Sequence, residues 1–251
     1  MVKILATFIL SAVLINYAIP TSSPEKMLDT IVRVNDSSGV IVYSNYEHTL
    51  VLTDYHVVWS MVDEEGNYKG NEKPKVSFTF VYKGEDKKYH TTTIYYECKE
   101  IYIDKLVDLA ILRINVGTKL NYSELSTQDL RVGEDVYIAG NPNGNYRTIV
   151  KGIVSSKDRY TDGTPLLQIS GGVTYGTSGG GAFTTDGKVI GLARYVDLRD
   201  TGFCSTIKFG DIEFHDCYTE TIPYMGFFTP SEVIKDFLLS TEFKDKFDYL
   251  K

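Results

Sequence analysis

Short segments of alternating hydrophobic and polar residues, each closed by a turn signal, recur from residue 30 onward at a spacing of about ten residues. The pattern predicts consecutive antiparallel strands, as in a sandwich or barrels, rather than alternating strands and helices. The predicted strands cover residues 31–34, 40–43, 49–53, 75–82, 90–97, 109–114, 135–139, 147–155, 166–169 and 188–195. A chain of 251 residues suits one large β domain or two small ones, and residues 130–134 are the predicted connection between two halves.

One helix is predicted, near the C-terminus. Thr229, Pro230 and Glu232 fit a capping box, with a hydroxyl at the cap, proline at the first helical position and a carboxylate three residues after the cap. One face of this helix would then carry Val233, Ile234, Phe237 and Leu238.

The N-terminus has the pattern of an export signal. Lys3 precedes an apolar stretch over residues 4–15, and Ala18 is a candidate cleavage edge. The stretch is shorter than the roughly 20 residues of a membrane span. We therefore expect residues 1–18 to be a signal peptide that meets the membrane only transiently. An uncleaved anchor and an ordinary first strand or helix remain alternatives.

Charge and cysteine content narrow the classes of partner. A net charge of −7 argues against binding to nucleic acid or anionic membranes. Export implies an oxidising compartment, in which Cys204 and Cys217 could form a disulfide and leave Cys98 unpaired; three buried or free thiols are the alternative. No cysteine spacing resembles a zinc site, and neither metal nor cofactor is expected.

The sequence GTSGG at residues 176–180 is a candidate nucleophile loop. A serine hydroxyl needs a base to take its proton, and the oxyanion that develops needs preorganised N–H donors. The amides of Gly176 and Ser178 are the candidate donors. A plain glycine-rich turn is the alternative. The G-x-S-x-G elbow of α/β-hydrolases is disfavoured, because a hairpin pattern follows Ser178 and the only later histidine, His215, lies in a polar segment.

Two upstream residues could activate this serine. His56 lies at the end of an apolar strand, where a core histidine would be the alternative, and Asp108 opens the buried strand DLAIL, where an acid facing water would be the alternative. An aspartate at that place can hold the imidazole in one tautomer and stabilise its cation. The order His56, Asp108, Ser178 is that of a known catalytic triad, which is more specific than any one of the three residues.

Seven segments together resemble the trypsin-like peptidases, and among them the protease domain of the HtrA/Deg family. The resemblance runs from about residue 31 to residue 239. The matching segments are SGVIV (38–42), TDYHVV (53–58), DLAILRI (108–114), LRVGE with AGNPNG (130–134 and 139–144), GIVS (152–155), GTSGG (176–180) and MGFFTPS (225–231).

The resemblance implies an all-β fold of two six-stranded barrels, over about 25–128 and 129–228, with a C-terminal helix over 230–248. It implies a protease domain spanning 25–251, a cleft between the barrels that holds the triad, and hydrolysis of protein or peptide substrates through an acyl-enzyme without a cofactor. Location would be secreted, periplasmic or in the cell envelope. A catalytically silent peptide-binding module with the same fold is the alternative function.

The chain departs from the family in its C-terminal part. It ends about 20 residues after the final-helix segment begins, so a PDZ domain is not expected. The family pattern also assigns the substrate pocket to Gly172, Arg194, Tyr195 and Val196. Gly172 stands where trypsin has an acidic pocket floor, so a preference for Lys or Arg is not expected. Arg194 would either pair with an acidic substrate side chain or point to solvent. Oligomeric state is left open.

Overall fold

A computed structural model describes residues 24–63, 65–84, 86–209 and 212–251, with side chains left out of the description over 197–224. The predicted signal segment over 1–18 lies outside these residues. None of the helices described is long and apolar enough to cross a membrane.

Thirteen strands and two α-helices make up the described chain. The helices are α1 (Pro24–Asp29) and α2 (Ser231–Ser240). The strands are β1 (Ile31–Val34), β2 (Ser37–Ser44), β3 (Thr49–Thr53), β4 (Lys75–Lys83), β5 (Tyr89–Glu97), β6 (Glu100–Asp104), β7 (Leu109–Ile114), β8 (Asp135–Gly140), β9 (Thr148–Thr161), β10 (Thr164–Ser170), β11 (Gly181–Phe183), β12 (Val189–Phe209) and β13 (Ile212–Pro230).

The strands form two units. The first is a seven-stranded sheet in the order β5-β4-β1-β2-β3-β7-β6, and the second is a closed six-stranded barrel in the order β10-β13-β12-β11-β8-β9. The predicted fold, mostly β with a C-terminal helix, is confirmed. The first unit differs in strand number from the six-stranded barrel that was expected. It gains β6, a short strand that pairs with β7 along its whole length.

The buried hydrophobic side chains form three clusters. One lies inside the first sheet and another inside the barrel. The third joins the first sheet to the barrel and to the C-terminal helix, through Leu52, Phe183 and Phe237 among others. Because this third cluster draws on both units, it packs the first sheet and the barrel against each other.

The C-terminal helix differs from its prediction at both ends. It begins at Ser231, with Pro230 at the cap position and no side-chain hydrogen bond to the cap. The hydroxyl of Thr229 is buried without a hydrogen-bond partner, so the predicted capping box is wrong. The α-helix ends at Ser240, and a 3₁₀ segment over Lys244–Leu250 follows. The predicted apolar face is confirmed at Ile234, Phe237 and Leu238, which are buried.

Candidate active site

Strand register brings His56 and Asp108 to the same edge of the first sheet. Strands β3 and β7 are antiparallel neighbours, with Thr53 opposite Ala110. The chain continues from Thr53 into a 3₁₀ turn over Tyr55–Val57, which contains His56. Asp108 ends the turn that leads into β7. Both side chains are thus fixed by adjacent strand ends, and their separation depends on a register of five consecutive residue pairs.

The two side chains form a hydrogen-bonded pair. His56 Nδ1 and Asp108 Oδ2 lie 2.8 Å apart, and the backbone N–H of His56 donates to Asp108 Oδ1 at 2.9 Å. A carboxylate only accepts hydrogen bonds, so Nδ1 carries the hydrogen and Nε2 keeps its lone pair. Asp108 has a φ of 57°, in the left-handed region that Asp tolerates better than most residues. This conformation lets its carboxylate meet both donors of one residue.

The charges around His56 favour its cation. Burial lowers the pKa of His56, but the hydrogen bond to Asp108 and the negative charges of Asp54 and Asp108 outweigh burial. Arg194 acts in the opposite direction, and the net effect is a pKa above the ordinary histidine value. The ring is 45% exposed, so a substrate has access to it. Such a group can accept a proton and hold it until a leaving group takes it.

The nucleophile loop is shaped by backbone rather than by side chains. Gly176 and Gly179 have φ values of 83° and 78°, which an L-residue rarely adopts. The Ser38 hydroxyl donates to the carbonyl oxygen of Gly176 at 2.7 Å, and the Ser38 N–H donates to the carbonyl oxygen of Ser178 at 2.9 Å. On the other side, the N–H of Gly179 donates to the carbonyl oxygen of Ala193 at 2.9 Å. The loop is therefore held between β2 of the first sheet and β12 of the barrel.

At Gly179 this loop lies against the strand that leads to His56. A Cβ at Gly179 would collide with Thr53 Oγ1 and with the carbonyl oxygen of Ser38, so the residue after Ser178 lies against the strand that leads to His56. Ser178 itself is half-buried. Across the described part of the chain, no hydrogen bond joins its hydroxyl to the His56 ring. Catalytic hydrogen bonds are often long without substrate and tighten in the complex.

Two backbone amides of the loop are free to act as donors. Within the described residues, neither the N–H of Gly176 nor that of Ser178 donates a hydrogen bond to another protein group. The neighbouring amides of Thr177, Gly179 and Gly180 all do so. The contrast is what an anion-binding loop requires, because its donors must be available when charge develops.

The predicted pocket residues fall into two groups. Gly172 is exposed, with open space around it except for Val150, and Tyr195 is 39% exposed and stacked on Phe227 at 4.9 Å between ring centroids. Val196 packs against the barrel core. Arg194 behaves differently: its side chain is 11% exposed, and its Nε lies 3.4 Å from Asp108 Oδ2. It does not point to solvent, and its guanidinium turns towards the candidate triad.

Sequence reasoning missed Asp54. This side chain is fully buried, and its Oδ2 lies 3.9 Å from His56 Nδ1. The available signal was the strand before it, because every residue of β3 is buried and Asp54 continues that run without a break. Asp54, His56 and Asp108 place one ligand atom each within 4.8 Å of one another. A guanidinium against Asp108 opposes a metal cation there, so the group fits the pairing of side-chain charges better than it fits a metal site.

The cysteines lie apart from this site. Cys98 is free and buried, and burial raises the pKa of its thiol to about 11, despite hydrogen bonds that lower it. The backbone register of the β12–β13 hairpin places Cys204 opposite Cys217. Their side chains are outside the described residues, so the disulfide between them stays a prediction.

Comparisons with known proteins identify the family of this chain. The model of the trypsin-like peptidase domain family matches residues 37–192. The serine protease Do-like HtrA of Bacillus subtilis is 30% identical over 185 residues, covering 68% of this chain and 35% of that protein. A probable periplasmic serine endoprotease of DegP-like type from Bartonella henselae is 39% identical over 101 residues, covering 38% of this chain and 20% of that protein.

A solved structure of the HtrA-type protease AlgW with a decapeptide superposes with a TM-score of 0.54 at 20% identity, over 81% of this chain and 50% of that one. At that identity the likeness concerns the fold. The chain spans about a third or less of the length of the two curated relatives above. The family match covers the strands and loops that carry all three candidate triad residues. The chain therefore belongs to the trypsin-like peptidase domain family, with relatives of the HtrA type.

Proposed function

We propose that this protein is a serine endopeptidase that hydrolyses peptide bonds of proteins or peptides through Ser178, His56 and Asp108. The observation that carries the proposal is the His56–Asp108 pair, with Nδ1 and Oδ2 2.8 Å apart, beside a serine loop with two free amides. Membership of the peptidase family supports the class of reaction.

The steps follow from the geometry. His56 Nε2 takes the proton of the Ser178 hydroxyl as its oxygen attacks a substrate carbonyl carbon. Asp108 stabilises the resulting imidazolium, and the amides of Gly176 and Ser178 bind the oxyanion. His56 then protonates the leaving amine as the C–N bond breaks, which leaves an acyl-enzyme. Water, deprotonated by His56, then attacks the ester carbon. His56 returns the proton to the Ser178 oxygen as the C–O bond breaks, which releases the acid and restores the Ser178 hydroxyl.

The substrate pocket in this proposal lies beside Gly172, Tyr195 and Val196. The absence of a side chain at Gly172 leaves the floor without charge, and Val150 provides an apolar wall. We therefore expect a preference for uncharged side chains, with Arg194 contributing to the pocket through its backbone. The proposal also includes export through residues 1–18 to the periplasm, cell envelope or exterior, in keeping with the Bartonella henselae relative, which is named as a probable periplasmic endoprotease.

The test is labelling of the purified chain with a fluorophosphonate probe, followed by mass spectrometry of the modified peptide. We expect an adduct on Ser178 that is lost in Ser178→Ala and strongly reduced in His56→Ala. Ser60→Ala is the matched control, because Ser60 is an exposed serine near His56 with no part in the proposed chemistry. Hydrolysis of an unfolded protein such as casein should show the same pattern.

A folded chain that neither labels nor cleaves casein would overturn the proposal and favour a silent peptide-binding module. Circular dichroism of each variant separates that result from loss of folding. Retained hydrolysis in Ser178→Ala would place the nucleophile elsewhere.

A further inference from the structure

Asp54 is a buried acid without a hydrogen-bond partner. Its side chain is fully buried, and neither carboxyl oxygen has a partner among the described residues. The N–H of Gly179 lies near enough to lower the pKa of Asp54, but it donates its hydrogen bond to Ala193. Buried carboxyl groups are rare unless they are paired, so an acid in this state, 3.9 Å from His56 Nδ1, requires an explanation.

Arg194 is a partly exposed base that also has a buried polar atom without a partner. Its Nη1 is buried without a hydrogen-bond partner, while its Nε lies 3.4 Å from Asp108 Oδ2. The β12–β13 register shifts between Ala193 and Tyr195, which marks an irregularity at Arg194. Such bulges re-aim a side chain next to a functional site. Here the result is a guanidinium directed at the acid that orients His56.

This arrangement changes the electrostatics of the pair. In a triad with one isolated acid, the full negative charge of that acid stabilises the imidazolium. Arg194 removes part of this benefit, because its positive charge lies against Asp108 and near His56. A second negative charge, that of Asp54, restores the stabilisation of the imidazolium. With Asp54 and Asp108 ionised, Arg194 charged and His56 protonated, the four groups are neutral as a set.

We propose that Asp54 and Arg194 are a matched pair of positioning charges, in which Asp54 offsets the positive charge that Arg194 places against Asp108. The inference rests on the proposed function for its meaning in catalysis, but its electrostatic content can be measured without turnover. Neither residue is assigned contact with the substrate's reacting atoms.

The directions of the pKa shifts agree with this assignment. Burial and the charge of Asp108 raise the pKa of Asp54 well above its usual range, while His56, the Gly179 amide and Arg194 lower it. Asp54 raises the pKa of His56, and Arg194 lowers it. The titration therefore belongs to the cluster, and we expect the His56 curve to be broader than that of one isolated proton.

The test is nuclear magnetic resonance titration of the His56 ring C–H in a Ser178→Ala background. Asp54→Asn should lower the His56 midpoint by about one pH unit and narrow its curve to a single proton. Arg194→Met should raise the midpoint by about one pH unit. The double variant should return to near the parent value, because the two changes cancel.

Internal controls come from the ring C–H resonances of His48 and His90, whose chemical shifts at one fixed pH should be the same in the parent and in all of these variants. His90 lies 2.9 Å from Asp86 on the surface, far from Asp54 in sequence, and it reports on general changes of structure or salt. If Asp54→Asn does not fold, Asp54→Ala tests the same charge with a smaller side chain. An unchanged His56 midpoint in the folded Asp54 variant, or a fall in Arg194→Met, overturns the pairing.

The same variants in the Ser178 protein connect the pair to catalysis. The acidic limb of the kcat/KM profile should move to lower pH by about one unit in Asp54→Asn and return in the double variant. These experiments separate failure of the charge pairing from failure of the proposed function. Expected His56 shifts in a chain that does not label would keep the pairing and reject the peptidase. Labelling with an unmoved His56 would keep the peptidase and reject the pairing.

Discussion

The two halves of the candidate active site are built in different ways. The His56–Asp108 half is made by side chains at the ends of two paired strands, joined by hydrogen bonds of 2.8 and 2.9 Å. The serine half is made by backbone, through glycines with positive φ and carbonyl oxygens that accept from Ser38. The His56–Asp108 half should therefore be disturbed when one polar atom is exchanged for another. The serine half should be disturbed when a single Cβ atom is added to a glycine.

The largest expected effect comes from the side-chain half. Asp108→Asn keeps the shape but supplies an amide where His56 Nδ1 needs an acceptor, so the ring is held in the wrong tautomer. We expect kcat to fall by about 10⁴-fold with the fold retained. Casein hydrolysis and circular dichroism measure the two quantities. The matched control is Asp86→Asn, which alters an exposed Asp–His pair of nearly equal length, 2.9 Å, and should leave activity unchanged.

The backbone half should respond most to Gly179→Ala. The new Cβ would collide with Thr53 Oγ1 and the Ser38 carbonyl oxygen, and the residue also has a φ of 78°. We expect a loss of about 3 to 4 kcal/mol in the free energy of unfolding, from steric clash added to backbone strain. Gly163 has the same φ of 78° with nothing within 4 Å of a Cβ, so Gly163→Ala should cost only about 1 kcal/mol. If Gly179→Ala and Gly163→Ala lost equal free energies of unfolding, measured with denaturant, the predicted collision at Gly179 would be contradicted.

Ser38 links β2 of the first sheet to the serine loop, and its substitution tests this link. Its hydroxyl donates to the Gly176 carbonyl oxygen and accepts from the Asn141 N–H at 2.8 Å. Ser38→Ala leaves both groups without this partner in a buried place, so we expect about 2 kcal/mol of destabilisation and slower labelling of Ser178. Ser60→Ala, at an exposed position, should be neutral within about 0.5 kcal/mol. Full stability with normal labelling would show that the loop holds its shape without Ser38.

The smallest effect concerns the pH dependence of stability. The pKa of Asp54 is raised in the folded protein, chiefly by burial, so folding favours its protonated form. Stability from this group is present below the unfolded pKa of about 4 and is lost as the pH rises through the folded pKa. The Asp54→Asn protein has no titrating carboxyl group at this position, so it does not lose stability in this way as the pH rises. As the pH rises above about 4, its free energy of unfolding should therefore gain on that of the parent, measured by thermal unfolding at a series of pH values.

The sequence predicted best where burial and alternation coincide. Bounds at Leu109–Ile114, Thr49–Thr53 and Ile31–Val34 agree with the structure, because each segment is almost wholly buried and ends in a turn. The sequence pattern predicted no strand at Glu100–Asp104, which pairs along an exposed edge, or over Ile212–Pro230, which begins in the polar segment around His215. These strands are formed by pairing with a neighbour rather than by their own hydrophobic pattern.

Within the site, the limit was different. His56 and Asp108 were identified by type, order and context, and the structure places them in contact. The surroundings of that pair could not be read in the same way. Asp54 is buried by contacts with residues distant in sequence, and the orientation of Arg194 depends on a register shift in β12 that leaves no mark on the sequence. The assignment of Ser178 and the pocket residues stays a prediction.

The link between Ser38 and the nucleophile loop bears on the order in which the parts of the candidate site form during synthesis. His56 follows β3 and Asp108 precedes β7, and these two strands pair within the first half, so the two residues can meet early during synthesis. The serine loop lies between β10 and β11, and the barrel around it closes only when β13, ending at Pro230, has paired with both β10 and β12. In a nascent chain, His56 would therefore lie beside Asp108 before the barrel around the Ser178 loop has closed, so the proposed triad would be complete only after the segment ending at Pro230 has been added.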